Sequence, residues 1–287
     1  MKDFEGRVAV VTGAGSGMGL AFSHRFAEAG MKVVLADIES EPLAMAEAAI
    51  KAQGGDVLAV RTNVMTESDV NALADQAFST YGNVHILCNN AGVAATAAQL
   101  RARPWETPLE DWDWTFGVNF MGVLYGIRAF VPRMLENGEE GHIVNTASLA
   151  GLLTAANPYN VSKHAVVCLT EGIYKEFREM GAKLSASVLC PGLINTAILD
   201  AERNRPADMG SLTDVSALRP EIQEFVTGFE AALKAGLEPS DVAELVLDCI
   251  RDDKFYIVPA QENFLGAVKL RMDDIVEQRN PTMAPAQ

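Results

Sequence analysis

The chain has 287 residues, 49% of them hydrophobic, which is enough apolar content for one large buried core. A formal net charge of −15 argues against a nucleic-acid or anionic-membrane surface, and no apolar run approaches the roughly 18 residues that a spanning helix needs. The four cysteines and four histidines are scattered without metal-ligand spacing, so the expectation is reduced thiols, no metal site and a cytoplasmic protein without a signal peptide.

The first element is the Val-rich run Arg7–Thr12, which suits a strand buried on both faces. The turn that follows, Gly13-Ala14-Gly15-Ser16-Gly17-Met18-Gly19, can take positive φ and lets a pyrophosphate approach the backbone at a helix N-terminus. Alone, such a turn also fits an ordinary strand-to-helix connection. A second strand, Lys32–Asp37, ends on an acid eighteen residues past Gly19. That acid can accept from both ribose hydroxyls of an adenine nucleotide and repels a 2′-phosphate. No Arg or Lys stands at Ile38, Glu39 or Ser40, and Ser16 is neutral, which favours NAD over NADP.

Strand and helix patterns then alternate, with strands at Asp56–Thr62, Val84–Asn89, Gly141–Thr146 and Leu184–Leu189. Such alternation requires a parallel sheet covered on both faces. The Ala-rich helix Glu41–Gln53 stops at Gly54-Gly55, and the next begins near Thr66 with Glu67 and Asp69 in its first turn. Asn63-Val64 follows the third strand as either an adenine contact or a plain turn. Asn89-Asn90-Ala91-Gly92 follows the fourth as either a ribose-facing loop or a tight turn. Between Thr107 and Asn137 a long helix carries Trp112, Trp114, Phe116, Phe120 and Tyr125, which read as packing. Asn119 lies in that apolar helix and needs a hydrogen-bond partner. Tyr159 and Lys163, eleven and fifteen residues past Ser148, share one face of a helix that Pro158 can start. A phenol titrates near 10 and an ammonium beside it favours ionisation, so the spacing predicts a lowered Tyr159 pKa. The Tyr-x-x-x-Lys spacing by itself equally describes a surface pair.

Taken in order, Thr12 to Gly19, Asn89 to Gly92, Asn119, Ser148, Tyr159-x-x-x-Lys163 and Pro191-Gly192 closely resemble the short-chain dehydrogenase/reductase family over residues 5–260. The resemblance implies a three-layer, doubly wound Rossmann fold with a seven-stranded parallel sheet in the order 3-2-1-4-5-6-7, its last strand at Phe255–Val258. It implies Asn119, Ser148, Tyr159 and Lys163 as a catalytic tetrad, with Tyr159 as general acid/base, Ser148 orienting the substrate oxygen, and Lys163 lowering the Tyr159 pKa while binding ribose. Asn119 would support a water linking Lys163 to solvent. The implied NAD site comprises Gly13, Ser16, Gly17, Met18, Gly19, Asp37, Ile38, Asn63, Val64, Asn90, Ala91, Gly92, Tyr159, Lys163, Pro191, Gly192, Ile194 and Thr196. The sequence departs from the family pattern at Asn63, where Asp is usual, and in a spacing from Ser148 to Tyr159 about two residues short.

Residues 197–221 carry Pro206, Gly210 and Pro220 without a clean period, and the resemblance makes them a substrate lid over the nicotinamide. Helices follow near Glu221–Lys234 and Ser240–Arg251, the latter with Ser240 as N-cap. The expected organisation is one catalytic domain over 1–260 and a helical extension over 261–287, with helix Glu262–Gln278. The expected activity is hydride transfer between NAD(H) and a hydrophobic secondary alcohol or ketone. The alternatives are an epimerase or dehydratase that retains NAD, or a non-catalytic NAD-binding regulator. A homotetramer, or at least a homodimer, is expected through the Thr107–Asn137 and Pro158–Met180 helices.

Overall fold

In the computed structural model the described residues are 1–94, 103–210, 220–259 and 262–282. Seven parallel strands run β1 Val8–Thr12, β2 Lys32–Asp37, β3 Val57–Arg61, β4 Ile86–Asn89, β5 Gly141–Thr146, β6 Leu184–Leu189 and β7 Tyr256–Ile257. They pair in the order β3-β2-β1-β4-β5-β6-β7, as expected. The apolar runs explain the centre of this sheet: every residue of β1, β4, β5 and β6 is buried, as helices on both faces demand. β5 and β6 pair along their full lengths, Gly141 opposite Leu184 through Thr146 opposite Leu189.

The α-helices among the described residues are α1 Gly17–Glu28, α2 Ser40–Ala52, α3 Glu67–Tyr81, α4 Leu109–Phe116, α5 Gly122–Asn137, α6 Leu149–Leu152, α7 Pro158–Glu179, α8 Pro220–Lys234, α9 Pro239–Arg251 and α10 Glu262–Val276. Phe22 and Phe26 of α1 pack with Val246 and Ile250 of α9 on one face of the sheet. Leu73 of α3, Phe130 of α5 and Phe177 of α7 pack on the other. Burying side chains of this size is the main favourable term in holding the layers together.

Several element ends differ from the sequence reading by one or two residues, as at β3 Val57–Arg61, β7 Tyr256–Ile257 and the last helix Glu262–Val276, and three further local features stand out. The β4 ladder starts at Ile86, and just before it the His85 ring adds a side-chain bond to the backbone pairing: its Nδ1 accepts from Val8 N at 3.0 Å, while His85 N donates to Val8 O at 2.8 Å. Helix α9 is capped at Glu238 instead of Ser240, since Pro239 lacks an N–H and has the φ of a first helical turn. The predicted single helix through Asn119 is interrupted by a π-turn over Gly117–Met121, which joins α4 to α5. Gly117 and Gly122 on this turn press against Met65 and Val64, where a Cβ would lie 2.7 and 3.0 Å from side-chain atoms. The chain reverses its strand order between β1 and β4, and their carboxyl ends open the crevice where α/β sheets bind ligands.

His142, buried in β5, is held neutral: burial lowers its pKa to about 3. Ser187 Oγ donates to the Lys254 carbonyl at 2.6 Å, so the His142 Nε2–H donates to Ser187 Oγ at 2.7 Å. The unfolded imidazole titrates near 6.5, so the unfolded chain binds more protons below that pH, and stability falls as pH drops from 6.5 toward 3. The slope from this group is at most about 1.4 kcal/mol per pH unit. His142→Leu is expected to flatten the acid limb of the stability curve, read as the shift in urea midpoint between pH 7 and pH 4.5. An unchanged slope would mean that other groups set it.

Candidate active site

The turn after β1 has no room for side chains. A Cβ on Gly19 would lie 2.0 Å from the Gly13 carbonyl oxygen, and one on Gly13 would lie 2.9 Å from Ala91 Cα. Gly13 and Gly17 take φ of +68° and +53°, which favour glycine. Ser16 holds the cap position of α1 without a side-chain cap bond, and the first turn carries no acid. The amides at that helix end are therefore free to meet an anion. Thr12 Oγ1 accepts from Asn90 N and Ala91 N at 2.9 and 3.0 Å, and Asn90 Nδ2 donates to Thr12 O at 3.1 Å. Asn90 thus ties the ends of β1 and β4 while its backbone faces the crevice.

Asp37 closes β2 with both carboxylate oxygens engaged: Gly15 N donates to Oδ2 at 2.8 Å and Glu39 N to Oδ1 at 2.9 Å. Asn63 makes a turn contact, its Oδ1 accepting from Met65 N at 3.1 Å, and it also lines the crevice, so both of its alternatives fit its place.

Asn119, fully buried on the π-turn, finds the partner its position requires. Its Oδ1 accepts from Val93 N at 2.8 Å, and its Nδ2 donates to Val93 O at 2.9 Å and to Ser162 Oγ at 3.2 Å. It clamps the strand leaving β4 from behind. Ser148 caps α6, its Oγ accepting from Ala150 N at 3.1 Å. A Cβ on Gly151 would lie 2.7 Å from the Lys163 backbone, so α6 rests directly on α7. Asn157 caps α7, accepting from Asn160 N at 2.9 Å, and Pro158 opens it, which sets the phase of Tyr159 and Lys163. The Ser148 hydroxyl, which donates to Pro191 O at 3.4 Å, lies near enough to the Tyr159 phenol to lower its pKa. Lys163 Nζ lies 5.8 Å from the Tyr159 ring centroid and donates to Thr146 O at 2.9 Å.

Burial dominates the charges here. It lowers the Lys163 pKa to about 8, opposed by the Cys190 thiol nearby. It also pushes the Tyr159 phenol up, with the Ser148 hydroxyl opposing. The expected lowering of the phenol pKa is therefore reversed in the chain by itself, because loss of water costs the phenolate more than its neighbours return.

One cavity of about 490 Å³ joins these parts. All the sequence-identified site residues line it except Gly19, which packs against Gly13, and Asn119, which lies behind Val93. Arg203 and Asn204 line the Asp37 end, and Phe229 and Leu233 of α8 with Phe264 of α10 line the far end. Arg203 and Asn204 belong to the expected lid segment, whereas Phe229, Leu233 and Phe264 lie outside every motif, since no local spacing links them to the site. Arg271 of α10 donates to Leu152 O at 3.1 Å, fixing the extension against the short Ser148–Tyr159 connection. Of the foreseen lid, residues 197–210 form 3-10 turns at Ile198–Asn204 and Ala207–Met209. Residues 211–219 of that segment lie outside the described residues. Ala201 packs with Val93, Trp114 and Val118, and Arg205 forms a buried ion pair with Asp111 of α4 at 2.6 Å. No helix among the described residues is long and apolar enough to cross a membrane.

Residues 7–207 match the short chain dehydrogenase family. The 1-deoxy-11-beta-hydroxypentalenate dehydrogenase of Streptomyces exfoliatus is 37% identical over 273 residues, covering 94% of this chain and 88% of its own. The 3beta-hydroxysteroid dehydrogenase 2 of Eggerthella lenta is 32% identical, covering 80% of this chain and 83% of its own. Among solved structures, a short chain dehydrogenase/reductase from Burkholderia phymatum in complex with NAD superposes with a TM-score of 0.92 at 43% identity, over 100% of both chains.

The Lys163 ammonium, 2% exposed, is costly to bury. Its folded pKa of about 8 lies below the ordinary lysine value of 10.5, so the unfolded chain binds more protons between those pH values and stability rises with pH across that window. Lys163→Met is expected to leave the thermal midpoint of the ligand-free chain at pH 7 unchanged or higher. The wild type should then gain on the variant between pH 8 and pH 10.5. A variant clearly less stable at pH 7, with no such convergence, would contradict the burial argument.

Proposed function

Because the chain belongs to the short-chain dehydrogenase family, we propose that its cavity holds NAD(H) beside a hydrophobic secondary alcohol or ketone, with Tyr159 moving the proton as hydride is transferred. It is an oxidoreductase acting on CH–OH groups. The observation that carries the finer reading is the joining, in one cavity, of the Tyr159–Lys163–Ser148 cluster to two unlike ends. One end has the glycine turn and Asp37; the other is walled by Trp114, Val118, Leu153, Phe229, Leu233 and Phe264 and carries no charged side chain among these residues.

The residues fit a dinucleotide. The side-chain-free turn and open α1 amides suit a pyrophosphate, and the Asp37 carboxylate suits ribose hydroxyls. Bound NAD(H) supplies the site that accepts or gives hydride at C4 of its nicotinamide. The protein supplies the rest. Pro191, Gly192, Ile194 and Thr196, which line the cavity, would hold the nicotinamide end of the dinucleotide. Ser148 Oγ holds the substrate oxygen beside the phenol, and Tyr159 takes that proton in oxidation and returns it in reduction. Lys163 places a positive charge near the phenol and is within one turn of it on α7. Asn119 keeps Val93, and through it the cavity wall, in place. The apolar wall excludes water and favours a bulky, uncharged substrate. Relatives named for a hydroxysteroid and a hydroxypentalenate are consistent with the bulk of such a substrate, although the latter, a carboxylate, does not share its lack of charge.

Secondary alcohols and ketones of graded size, followed by NADH absorbance, test the activity, and Tyr159→Phe tests the proton step. The variant is expected to lose roughly a hundredfold or more in kcat while still binding NADH. Since burial raises the phenol pKa, ketone reduction, which needs the protonated phenol, should hold across neutral pH. Alcohol oxidation, which needs the phenolate, should climb with pH. Most activity retained in Tyr159→Phe would assign the proton to another group.

Assembly follows from the same surfaces. On α4 and the π-turn Trp112 stacks on Phe116 at 6.2 Å and Phe116 meets Phe120 edge-on at 6.3 Å, all three partly exposed, and Val161 of α7 is exposed. We assign these faces to a homotetramer or homodimer, as the family resemblance suggests. Light scattering at micromolar concentration is expected to exceed the 30.8 kDa of one chain. A monomer alone would refute the assignment.

A further inference from the structure

Arg203 belongs to none of the motifs that mark the site, yet it reaches the adenosine end of the cavity. The 3-10 turn Ile198–Asn204 leaves the Pro191–Thr196 region and brings this guanidinium to Glu39, 164 positions earlier in the chain. Arg203 Nε donates to the two Glu39 carboxylate oxygens at 3.1 and 3.2 Å, and Nη2 donates to Oε1 at 2.7 Å. Asn204 Nδ2 adds a bond to Oε1 at 2.8 Å, and Arg203 Nη1 turns back to the Asp200 carbonyl at 2.8 Å. The Glu39 backbone N–H in turn donates to Asp37 Oδ1 at 2.9 Å, so this cluster adjoins the carboxylate assigned to the ribose.

The chemistry of the cluster bears on cofactor choice. A guanidinium is the side chain best suited to grip a 2′-phosphate, with planar paired donors and a permanent charge. Among the described residues lining the cavity, Arg203 is the one arginine, and Lys163 is the other cation, placed beside Tyr159. A sequence reading that looks only at the residues after Asp37 misses it. Here its fork is committed to Glu39, whose carboxyl the Arg203 hydrogen bonds hold below the usual range, so Glu39 stays ionised at neutral pH. Two carboxylates against one guanidinium leave this end of the cavity negative. Both partners are partly exposed, at 39% for Arg203 and 24% for Glu39, so screening keeps the effect moderate.

We propose that Glu39 is a second determinant of cofactor selectivity, holding Arg203 away from the adenosine 2′ position and joining Asp37 in excluding a 2′-phosphate. Freed from Glu39, Arg203 becomes a phosphate ligand. The proposal rests on the NAD reading given above and deepens it.

Dissociation constants for NADH and NADPH, measured on the chain without substrate by nicotinamide fluorescence, test it without turnover. The wild type should bind NADH the more tightly. Glu39→Ala should tighten NADPH binding by about fivefold, with Glu39→Gln intermediate because its amide oxygen still accepts from Arg203. Adding Arg203→Met to Glu39→Ala should cancel the gain, whereas Arg203→Lys should retain part of it. Circular dichroism on each variant checks the fold, which these partly exposed positions should preserve. NADPH binding unmoved by either Glu39 variant, or a gain that survives Arg203→Met, overturns the proposal while leaving the NAD reading intact. A wild type that binds NADPH as tightly as NADH overturns both.

Discussion

The closure of the β1 turn on itself sets the geometry of everything around it. Gly19 comes so near Gly13 that a methyl group there would overlap the carbonyl oxygen, at 2.0 Å. Helix α1 can therefore begin directly above the carboxyl end of β1, with Thr12 stitched to Asn90 and Ala91 at the end of β4. Because the strand order reverses between β1 and β4, this contact is also the floor of the crevice. A side chain at Gly19 would push α1 outward and misplace the amides on which an anion would rest. The same tight packing recurs at Gly151, which lets α6 lie on α7 and brings Ser148 to Tyr159.

At the other end of the crevice the controlling effect is desolvation. Lys163 and Tyr159 occupy a poorly hydrated site that opposes the charged form of each, pushing one pKa down and the other up. At neutral pH the pair is held as ammonium and phenol, which is the state ready to give a proton. The charge-separating step in oxidation thus needs help from outside the chain, and a positively charged ring bound beside the phenol would supply it electrostatically. The environment that makes the pair costly to bury also makes its proton affinity responsive to a ligand.

The sequence made legible what local pattern controls. Strands β5 and β6 and the order of the whole sheet follow from buried runs alternating with helices, and the cavity collects Ser148, Tyr159 and Lys163 because a capped helix start fixes their phase. What escaped depends on contacts between distant segments or on competition between effects. The π-turn at Asn119 arises where Gly117 and Gly122 meet Met65 and Val64, which helical periodicity cannot register. Arg203 meets Glu39, and Phe264 enters the cavity, only through tertiary folding. The sign of the Tyr159 shift turns on burial, whereas the Tyr-x-x-x-Lys spacing reports only the neighbouring charge.

The segment after β6 roofs both ends of the cavity, but it is fastened unequally. Over the substrate end Arg205 is 3% exposed, pairs with Asp111, and lies 5.1 Å from the centre of the Trp114 ring. Removing one partner of such a buried pair leaves an uncompensated charge at a cost of about 3–5 kcal/mol. Over the adenosine end the fastening is the partly exposed Arg203–Glu39 pair, of a kind whose contribution is typically about 0–1 kcal/mol. Of the two fastenings, the pair over the Asp37 end is therefore the weaker, and the one over the substrate end is reinforced by the packing of Ala201 with Val93 and Trp114.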